Sequence, residues 1–352
     1  MPHRPATSHK DKQTMKVFYC ESQREHDPGP VVVHGRTTAY TEQSARADVL
    51  LAAALAAGCV AHVPDDFGLS SVEPVHTARY LDFLRDGLDT WRRATGVAGP
   101  MVPSFHPFGE ASVYPDSIVG RCGFHVADTT SPISDGSWRA ILRSAHAAHH
   151  AARAVLDGDA VAYALCRPPG HHAERERAGG FCYVNNVAVA VEQLRTRFRR
   201  IAIVDVDVHH GNGQQSIYYA DPDVLTISLH VDPVVAYPFF SGGESERGTG
   251  AALGCNHNYP MPKGTTDGLY LAALDVACAE IAGFAPEALV VALGLDASKH
   301  DPFAYFQITE RGFSRIGARL AKLRLPTVLV QEGGYLAPDL GENLRGFLRA
   351  WF

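Results

Sequence analysis

Residues 201–213 read Ile-Ala-Ile-Val-Asp-Val-Asp-Val-His-His-Gly-Asn-Gly and predict a buried strand that leads into a polar cluster. If residues 201–208 form a strand, Asp205, Asp207 and His209 share one face, because successive side chains alternate. Burying two carboxylates with an imidazole is costly unless a cation neutralises them. A divalent metal would do so, and oxygen and nitrogen ligands suit zinc, with iron(II) or manganese as alternatives. The competing interpretation is a strand end whose acids pair with arginine or cap a helix.

Similar apolar runs recur along the chain and alternate with helical patterns. Further strands are predicted at 15–20, 160–166, 224–230, 288–293 and 327–331. Helices are predicted at 41–57, 75–88, 137–156, 183–198, 214–219, 267–282, 309–323 and 340–352. Continuous apolar strands between helices are typical of a parallel sheet covered on both faces, which is an α/β fold with three layers.

The chain shows no internal repeat or interdomain linker. We therefore predict a single catalytic domain over residues 15–352, preceded by a polar, disordered leader at 1–14. Residues 95–126 are rich in glycine, proline and serine and are predicted to be irregular. A loop of this length in a compact domain is usually functional or part of an interface.

Composition excludes several classes of function. The net charge of −6 leaves no broad basic face for nucleic acid. Seven cysteines without a Cys-x-x-Cys pair argue against a disulfide framework and favour a reducing compartment. No apolar stretch is long enough to span a bilayer, and the first residues lack the apolar region of a signal peptide. We expect a cytoplasmic protein that does not bind membranes.

Four of the predicted strands lead into segments that carry reactive side chains. They are Arg167-Pro-Pro-Gly-His-His-Ala173, the 205–213 run, Gly294-Leu-Asp-Ala-Ser-Lys-His-Asp-Pro302 and Glu332-Gly-Gly-Tyr335. Ligands of open parallel sheets bind beyond the carboxyl ends of the strands. These segments are therefore expected to meet at one edge of the sheet.

A catalytic zinc usually has three protein ligands. Asp207 and His209 supply two, and Asp296, at the end of its own strand, is the best third. Asp205 could bind the metal or orient a neighbouring ligand, and the spacing alone leaves both roles open.

The adjacent pair His171 and His172 follows a rigid Pro-Pro-Gly turn. Such a pair could act as general base and general acid, one ring paired with Asp205 and the other with Asn212. Alternatively, both histidines only cap loops.

Tyr335, after two glycines, could donate a hydrogen bond to a developing oxyanion. Gly180 and Phe181, with Tyr237 opposite, suggest a narrow slot for a slim chain, although each aromatic alone could be core packing. Two further patterns are set aside. His146, His149 and His150 have the spacing of a metal site on a helix, but no acid shares their helix face, so ordinary packing is favoured. The glycines of 242–250 do not directly follow a strand, so a phosphate loop is not indicated.

Together, the quoted motifs and Gly179-Gly-Phe-Cys-Tyr-Val-Asn-Asn186 resemble the zinc-dependent histone deacetylase family of the arginase/deacetylase superfamily, in particular bacterial acetylpolyamine amidohydrolases. The resemblance covers nearly all of residues 15–352. It implies a three-layer α-β-α fold with a central, mostly parallel sheet of about eight strands. It also implies that residues 104–134 form a loop that mediates a homodimer and narrows the channel, within the long stretch 95–134.

The resemblance assigns roles that the residues alone left open. It implies zinc at Asp207, His209 and Asp296, His172 as the principal general acid–base, and His171 as its electrostatic partner on Asp205. Tyr335 matches the oxyanion donor, and Gly180, Phe181 and Tyr237 match the substrate channel. It further implies a structural potassium ion held by Asp205, Asp207, His209, Ser228 and Leu229.

Departures from the family pattern concern the substrate. Asn212 stands where some histone deacetylases have aspartate. Phe303 lies at the rim where a polyamine-selective relative has a gatekeeper glutamate. Val119 replaces an acid that helps to bind polyamine in the bacterial prototype, a loss for which Asp116 or Glu110 could compensate.

We therefore predict a zinc-dependent amidohydrolase, with iron(II) as an alternative metal, that cleaves the N-acyl amide of a small, acetylpolyamine-like amine. The rival functions are an acetyl-lysine peptide or protein deacetylase, a deacylase of a biosynthetic intermediate, and a non-catalytic acyl-lysine-binding protein. Arginase-like ureohydrolysis is disfavoured, because a two-manganese site would need more acids.

Overall fold

A computed structural model of the chain describes residues 14–109 and 113–352. Most of the predicted leader and Glu110 lie outside the described residues. None of the helices in the described part of the chain is long and apolar enough to cross a bilayer.

Within these residues, a wholly parallel sheet of eight strands forms the centre of the fold. Its strands, in chain order, are β1 (Lys16–Phe18), β4 (Val60–His62), β5 (Val161–Ala164), β6 (Ile201–Asp205), β7 (Val224–Val231), β8 (Asn256–Met261), β9 (Ala288–Leu293) and β10 (Thr327–Gln331). A separate antiparallel hairpin pairs β2 (Val31–Val33) with β3 (Arg36–Thr38). The strand order of the sheet is β4-β1-β5-β10-β9-β6-β7-β8.

Helices cover both faces of the sheet. The α-helices are α1 (Ala45–Ala57), α2 (Ala78–Thr95), α3 (Ile118–His125), α4 (Ser137–Leu156), α5 (Asn186–Leu194), α6 (Asn212–Tyr218), α7 (Asp267–Phe284), α8 (Glu310–Ala321) and α9 (Leu340–Leu348). One apolar core lies under α2, α3, α4 and α5, and a second lies under α1, α7, α8 and α9. The three-layer α/β fold expected from the sequence is confirmed.

Alternating side chains of the central strands supply both cores. In β6, Ile201 and Ile203 enter the first core, whereas Ala202 and Val204 enter the second. Both sets are completely buried. This is why the strand is a continuous apolar run rather than an alternating one.

The predicted strand 201–208 is longer than the strand in the structure. β6 ends at Asp205, so Asp207 and His209 lie in the segment beyond the strand and not on its pleat. The three polar side chains nevertheless meet, because the backbone after Asp205 turns and its amides bond to carboxylates: Asp207 N–H donates to Asp205 Oδ1 (3.0 Å) and His209 N–H donates to Asp207 Oδ1 (2.9 Å).

The expectation of an irregular stretch at 95–126 was also incomplete, because it contains α3. Ser117 caps this helix, its Oγ accepting from Val119 N–H (3.3 Å), and Ile118 and Cys122 are buried in the first core. The long segment is tied back by a backbone bridge between Met101 and Ile133.

Candidate active site

The four strands that were expected to carry the site are neighbours in the middle of the sheet. β5, β10, β9 and β6 lie side by side and run parallel. Their carboxyl ends therefore open at one edge, and the segments that follow them converge there.

Asp207, His209 and Asp296 form a compact group of possible metal ligands. Both acids are fully buried, and His209 is 6% exposed. His209 Nδ1 lies 3.1 Å from Asp207 Oδ1 and 3.1 Å from Asp296 Oδ2. One donor atom from each residue lies within 4.8 Å of the others.

Backbone amides hold the two carboxylates in place. Gly333 N–H donates to Asp207 Oδ2 (2.8 Å), and Val208 N–H donates to Asp296 Oδ1 (2.9 Å). A Cβ on Gly333 would lie 2.3 Å from an Asp296 oxygen and 2.5 Å from an Asp207 oxygen. The absence of a side chain at Gly333 leaves these oxygens room to face one point.

The electrostatics of this group fit a bound cation. Burial and the Asp207 charge raise the pKa of Asp296 to about 6. Burial alone would lower the pKa of His209, but its contacts with Asp207 and Asp296 raise it to about 9. Two buried carboxylates that share one imidazole favour positive charge between them, and this donor set suits a divalent transition metal.

The histidine pair has two different partners. His171 Nδ1 lies 2.9 Å from Asp205 Oδ2, whereas His172 Nδ1 lies 2.7 Å from Asn212 Oδ1. The ring centroids are 3.9 Å apart. Asn212 Nδ2 donates to the His172 carbonyl (3.3 Å), so its oxygen faces the ring and accepts from Nδ1–H. The His172 Nε2 atom is thereby left as the basic nitrogen.

Because of these different surroundings, the two imidazole rings have different pKa values. Burial would lower the pKa of His171, but Asp207 and Asp205 raise it to about 10. Burial holds the pKa of His172 well below its usual value, and the neighbouring His171 and His209 lower it further. The arrangement therefore places a cationic imidazole beside a neutral one.

Tyr335 borders the same space. It is 4% exposed, and its ring lies 5.7 Å from Phe181 and 5.3 Å from Phe303. Burial raises the pKa of its hydroxyl well above the usual value, so the group is a proton donor at neutral pH. Its backbone N–H donates to Asp301 Oδ2 (3.0 Å), which fixes the residue against the segment after β9.

Aromatic rings and a glycine line the approach to the metal-ligand group. The rings of Tyr237 and Phe303 lie 4.8 Å from His172 and 5.1 Å from His209, respectively. A Cβ at Gly180 would lie 2.4 Å from His172 Cδ2 and 2.8 Å from Tyr237 Cε1. The structure thus brings together the four residues that were predicted to contact substrate: Gly180, Phe181, Tyr237 and Phe303.

The residues expected around potassium are also neighbours. Asp205 and Ser228 face each other in the register of β6 and β7. Asp205 Oδ2 accepts from Gln214 Nε2 (2.6 Å), and Ser228 Oγ lies 2.8 Å from His230 Nδ1. Leu229 is completely buried.

Asp128 was not predicted to be part of the site. Its Oδ2 accepts from Gly180 N–H (2.9 Å) and from the Tyr237 hydroxyl (2.9 Å), so it ties both residues to the long segment 95–134. Asp116, in contrast, is exposed and pairs with Arg121 (4.0 Å). The sequence carries no local signal for the Asp128 contacts, because its partners lie 52 and 109 residues away.

The two patterns that were set aside have other structural explanations. The His149 ring packs on Phe67 with centroids 4.3 Å apart, and His146 Nε2 bonds to the Gly68 carbonyl (3.0 Å). The amides of Gly242 and Gly243 donate to Glu246 (3.0 and 3.1 Å). These amides are therefore engaged within the protein.

Comparisons with known proteins agree with this geometry. The family model of the histone deacetylase domain matches residues 35–351. An acetylpolyamine amidohydrolase of Burkholderia pseudomallei is 42% identical over 95% of this chain and 97% of its own length. Acetylpolyamine amidohydrolase 1 of Pseudomonas aeruginosa is 41% identical over 96% of this chain and 99% of its own. The crystal structure of an acetylpolyamine aminohydrolase from B. pseudomallei superimposes with a TM-score of 0.92 at 40% identity, covering 96% of this chain and 98% of that one.

Proposed function

Because this chain belongs to the histone deacetylase family, we propose that it hydrolyses the N-acetyl amide of a small, acetylpolyamine-like amine with the aid of a bound metal. The predicted family and the prediction of a hydrolase that acts on amides are confirmed by the comparisons. The observation that carries the proposal is the histidine pair beside the Asp207–His209–Asp296 group, with His171 on a carboxylate and His172 on an amide.

Asp207, His209 and Asp296 would hold the metal. Zinc suits their donor set best, and iron(II) is the alternative. When bound, such an ion supplies Lewis-acid chemistry toward the amide carbonyl and lowers the pKa of a water molecule. A potassium ion would lie near Asp205, Asp207, His209, Ser228 and Leu229. It would compensate the negative charge of the buried carboxylates in this group.

The chain's own groups would move the protons. Neutral His172 accepts the proton of the attacking water through Nε2 and later donates it to the leaving amine. His171 remains cationic on Asp205 and favours the negative charge that develops on the carbonyl oxygen. The Tyr335 hydroxyl donates a hydrogen bond to that oxygen.

The substrate assignment rests on the residues beside the histidine pair and on the relatives. The Tyr237 ring lies 4.8 Å from His172, the Phe181 ring lies 5.7 Å from Tyr335, and Gly180 leaves room beside His172. We expect these rings to accept a slender methylene chain and to disfavour a branched group. Two relatives that align along nearly their whole length are named for action on acetylpolyamines, which supports this class of substrate.

We further propose a homodimer formed through residues 95–134. Phe105 and Phe108 on this segment are 68% and 111% exposed, and Val113 is 75% exposed. Large apolar side chains grouped on one exposed segment are typical of a protein interface. Sedimentation should show a dimer, and the double substitution of Phe105 and Phe108 to serine should give a monomer. A native chain that sediments as a monomer at micromolar concentration would contradict this assignment.

A substrate panel tests the proposed activity. The purified protein is assayed on acetylated polyamines, acetyl-lysine peptides and longer-chain acyl amines, each with and without a chelator. We expect fastest turnover on acetylated polyamines, loss of activity with the chelator, and recovery on addition of zinc. Preference for the peptides would identify a lysine deacetylase, and binding without turnover on any substrate would identify an acyl-lysine-binding protein.

Variants test the assigned roles in the same assay. His172→Ala and Tyr335→Phe should each reduce kcat by about 10²–10³-fold, because each removes a group that acts on the transition state. Tyr219→Phe, at a half-buried tyrosine that follows α6, serves as the matched control and should retain native kcat. Near-native turnover in His172→Ala or Tyr335→Phe contradicts the assignment of that residue.

A further inference from the structure

Glu332 occupies an unusual position for an acid, because its side chain is completely buried at the end of β10. Its Oε2 atom accepts two hydrogen bonds from backbone amides, those of Gly170 (2.7 Å) and His171 (3.0 Å). Its Oε1 atom has no hydrogen-bond partner among the described residues. The carboxyl group thus accepts hydrogen bonds from one turn of the chain, and that turn carries both active-site histidines.

The backbone of Glu332 is itself held rigidly. Its N–H donates to the Leu293 carbonyl of β9 (2.9 Å), and its carbonyl accepts from the buried Arg46 guanidinium. The next residue, Gly333, donates to Asp207. Glu332 therefore joins the histidine turn to the same short segment that contacts a proposed metal ligand and leads to Tyr335.

We infer that Glu332 is a positioning residue, which sets the distance of His171 and His172 from the reacting atoms by hydrogen-bonding the turn before them. This inference rests on the proposed deacetylase function. The turn has a further internal bond, from Ala173 N–H to the Gly170 carbonyl (2.9 Å), so a shift at Gly170 would move the whole turn.

The contacts indicate that the reach of this side chain matters, because both hydrogen bonds run to one oxygen at its end. Burial raises the pKa of the Glu332 carboxyl to about 8, so the group is mostly neutral at pH 7. Glutamine has the same length, and its amide oxygen can accept both backbone bonds while its nitrogen takes the place of the unpartnered oxygen. Aspartate keeps the acid but is one methylene too short to reach the turn.

The test compares Glu332→Gln with Glu332→Asp. We expect Glu332→Gln to keep kcat within about threefold of native. We expect Glu332→Asp to lose about 10–100-fold in kcat with little change in KM, because a displacement of about 1 Å near the reacting atoms has this effect. Both variants should bind zinc in native amount. Asp267→Ala, which removes a carboxylate that accepts from Thr309 N–H (2.9 Å) at the start of α8, is the control for a purely structural bond and should keep native kcat.

A second measurement does not depend on turnover. Hydrogen–deuterium exchange followed by mass spectrometry should show faster uptake in peptides that span residues 167–173 for Glu332→Asp, and native uptake for Glu332→Gln. Native kcat and native exchange in both variants would overturn the inference. So would a loss in Glu332→Gln that equals or exceeds the loss in Glu332→Asp, since that result assigns the role to charge. If the native protein hydrolyses no acylated amine, the proposed function fails, and the exchange data still decide whether Glu332 holds the turn.

Discussion

Replacing Gly333 with alanine should weaken metal binding strongly while preserving the fold. A Cβ there would lie 2.3 Å from an Asp296 oxygen and 2.5 Å from an Asp207 oxygen. Each of these carboxylate oxygens must therefore move by about 1 Å, relative to the added carbon, to regain an ordinary contact distance. Metal–ligand distances tolerate only about 0.2 Å of change, so a displacement of this size removes a ligand from its place.

The expected magnitude can be bounded from the same contacts. Changing a group that only supports a ligand typically weakens metal binding by about 10–100-fold. The alanine methyl would act on two proposed ligands directly, so we expect a loss of zinc affinity above about 100-fold, measured by competition with a chromophoric chelator. Activity should fall in parallel and recover in part at high zinc concentration.

A second glycine provides the control. At Gly268 in α7, the position that an alanine methyl would take has no neighbouring atom within 4 Å, so Gly268→Ala should retain native zinc affinity and turnover. Circular dichroism should show that both variants are folded. A folded Gly333→Ala variant that binds zinc with native affinity would refute the assignment of Asp207 and Asp296 as ligands of one ion.

Two further predictions concern stability and the channel. His76 Nε2 accepts from Asn185 N–H (3.0 Å), and burial lowers the pKa of this imidazole to about 4. The pKa of His76 in the folded protein lies below the ordinary value of 6.5, so the unfolded chain takes up the proton first as pH falls. The contribution of His76 to the free energy of unfolding is therefore complete above pH 6.5 and is lost as pH falls toward 4, with a loss of about 2 kcal/mol at pH 5. In urea titrations, His76→Gln should flatten the decline in stability between pH 6.5 and 5, and an unchanged pH dependence would contradict this account. Asp128→Ala removes the acceptor of Gly180 N–H and of the Tyr237 hydroxyl, so KM for the acetylated amine should rise about tenfold, with a smaller change in kcat; an unchanged KM would show that the channel walls do not depend on Asp128.

The central sheet was predictable because buried parallel strands leave a strong signal. β9 and β10 were predicted with the bounds that the structure has, since both faces of each strand require apolar side chains. The two edge strands were missed. β4 is exposed and only three residues long, and β8 begins Asn-His-Asn, so neither has a long apolar run. An edge strand pairs on one side only, and its sequence is correspondingly less constrained.

The sequence predicted which side chains would meet at the candidate site, but it did not predict which residues hold them in place. Asp207, His209 and Asp296 stand at or just beyond strand ends, where topology alone brings them to one edge. Asp128 and Glu332 act on backbone amides of distant segments, and any acid in a loop has the same local sequence signature. Only the three-dimensional structure shows which amides these carboxylates reach.

The acids at this edge of the sheet also explain why its parts depend on one another. Asp205, Asp207 and Asp296 are completely buried, and each accepts a hydrogen bond from a backbone amide as well as contacting a histidine. The amide bonds fix the carboxylates, and the carboxylates in turn fix the backbone between strands. A change in any one acid therefore alters both the charge of the site and the path of the chain. For this reason, Asp205, Asp207 and Asp296 are better understood as a single electrostatic unit than as separate side chains.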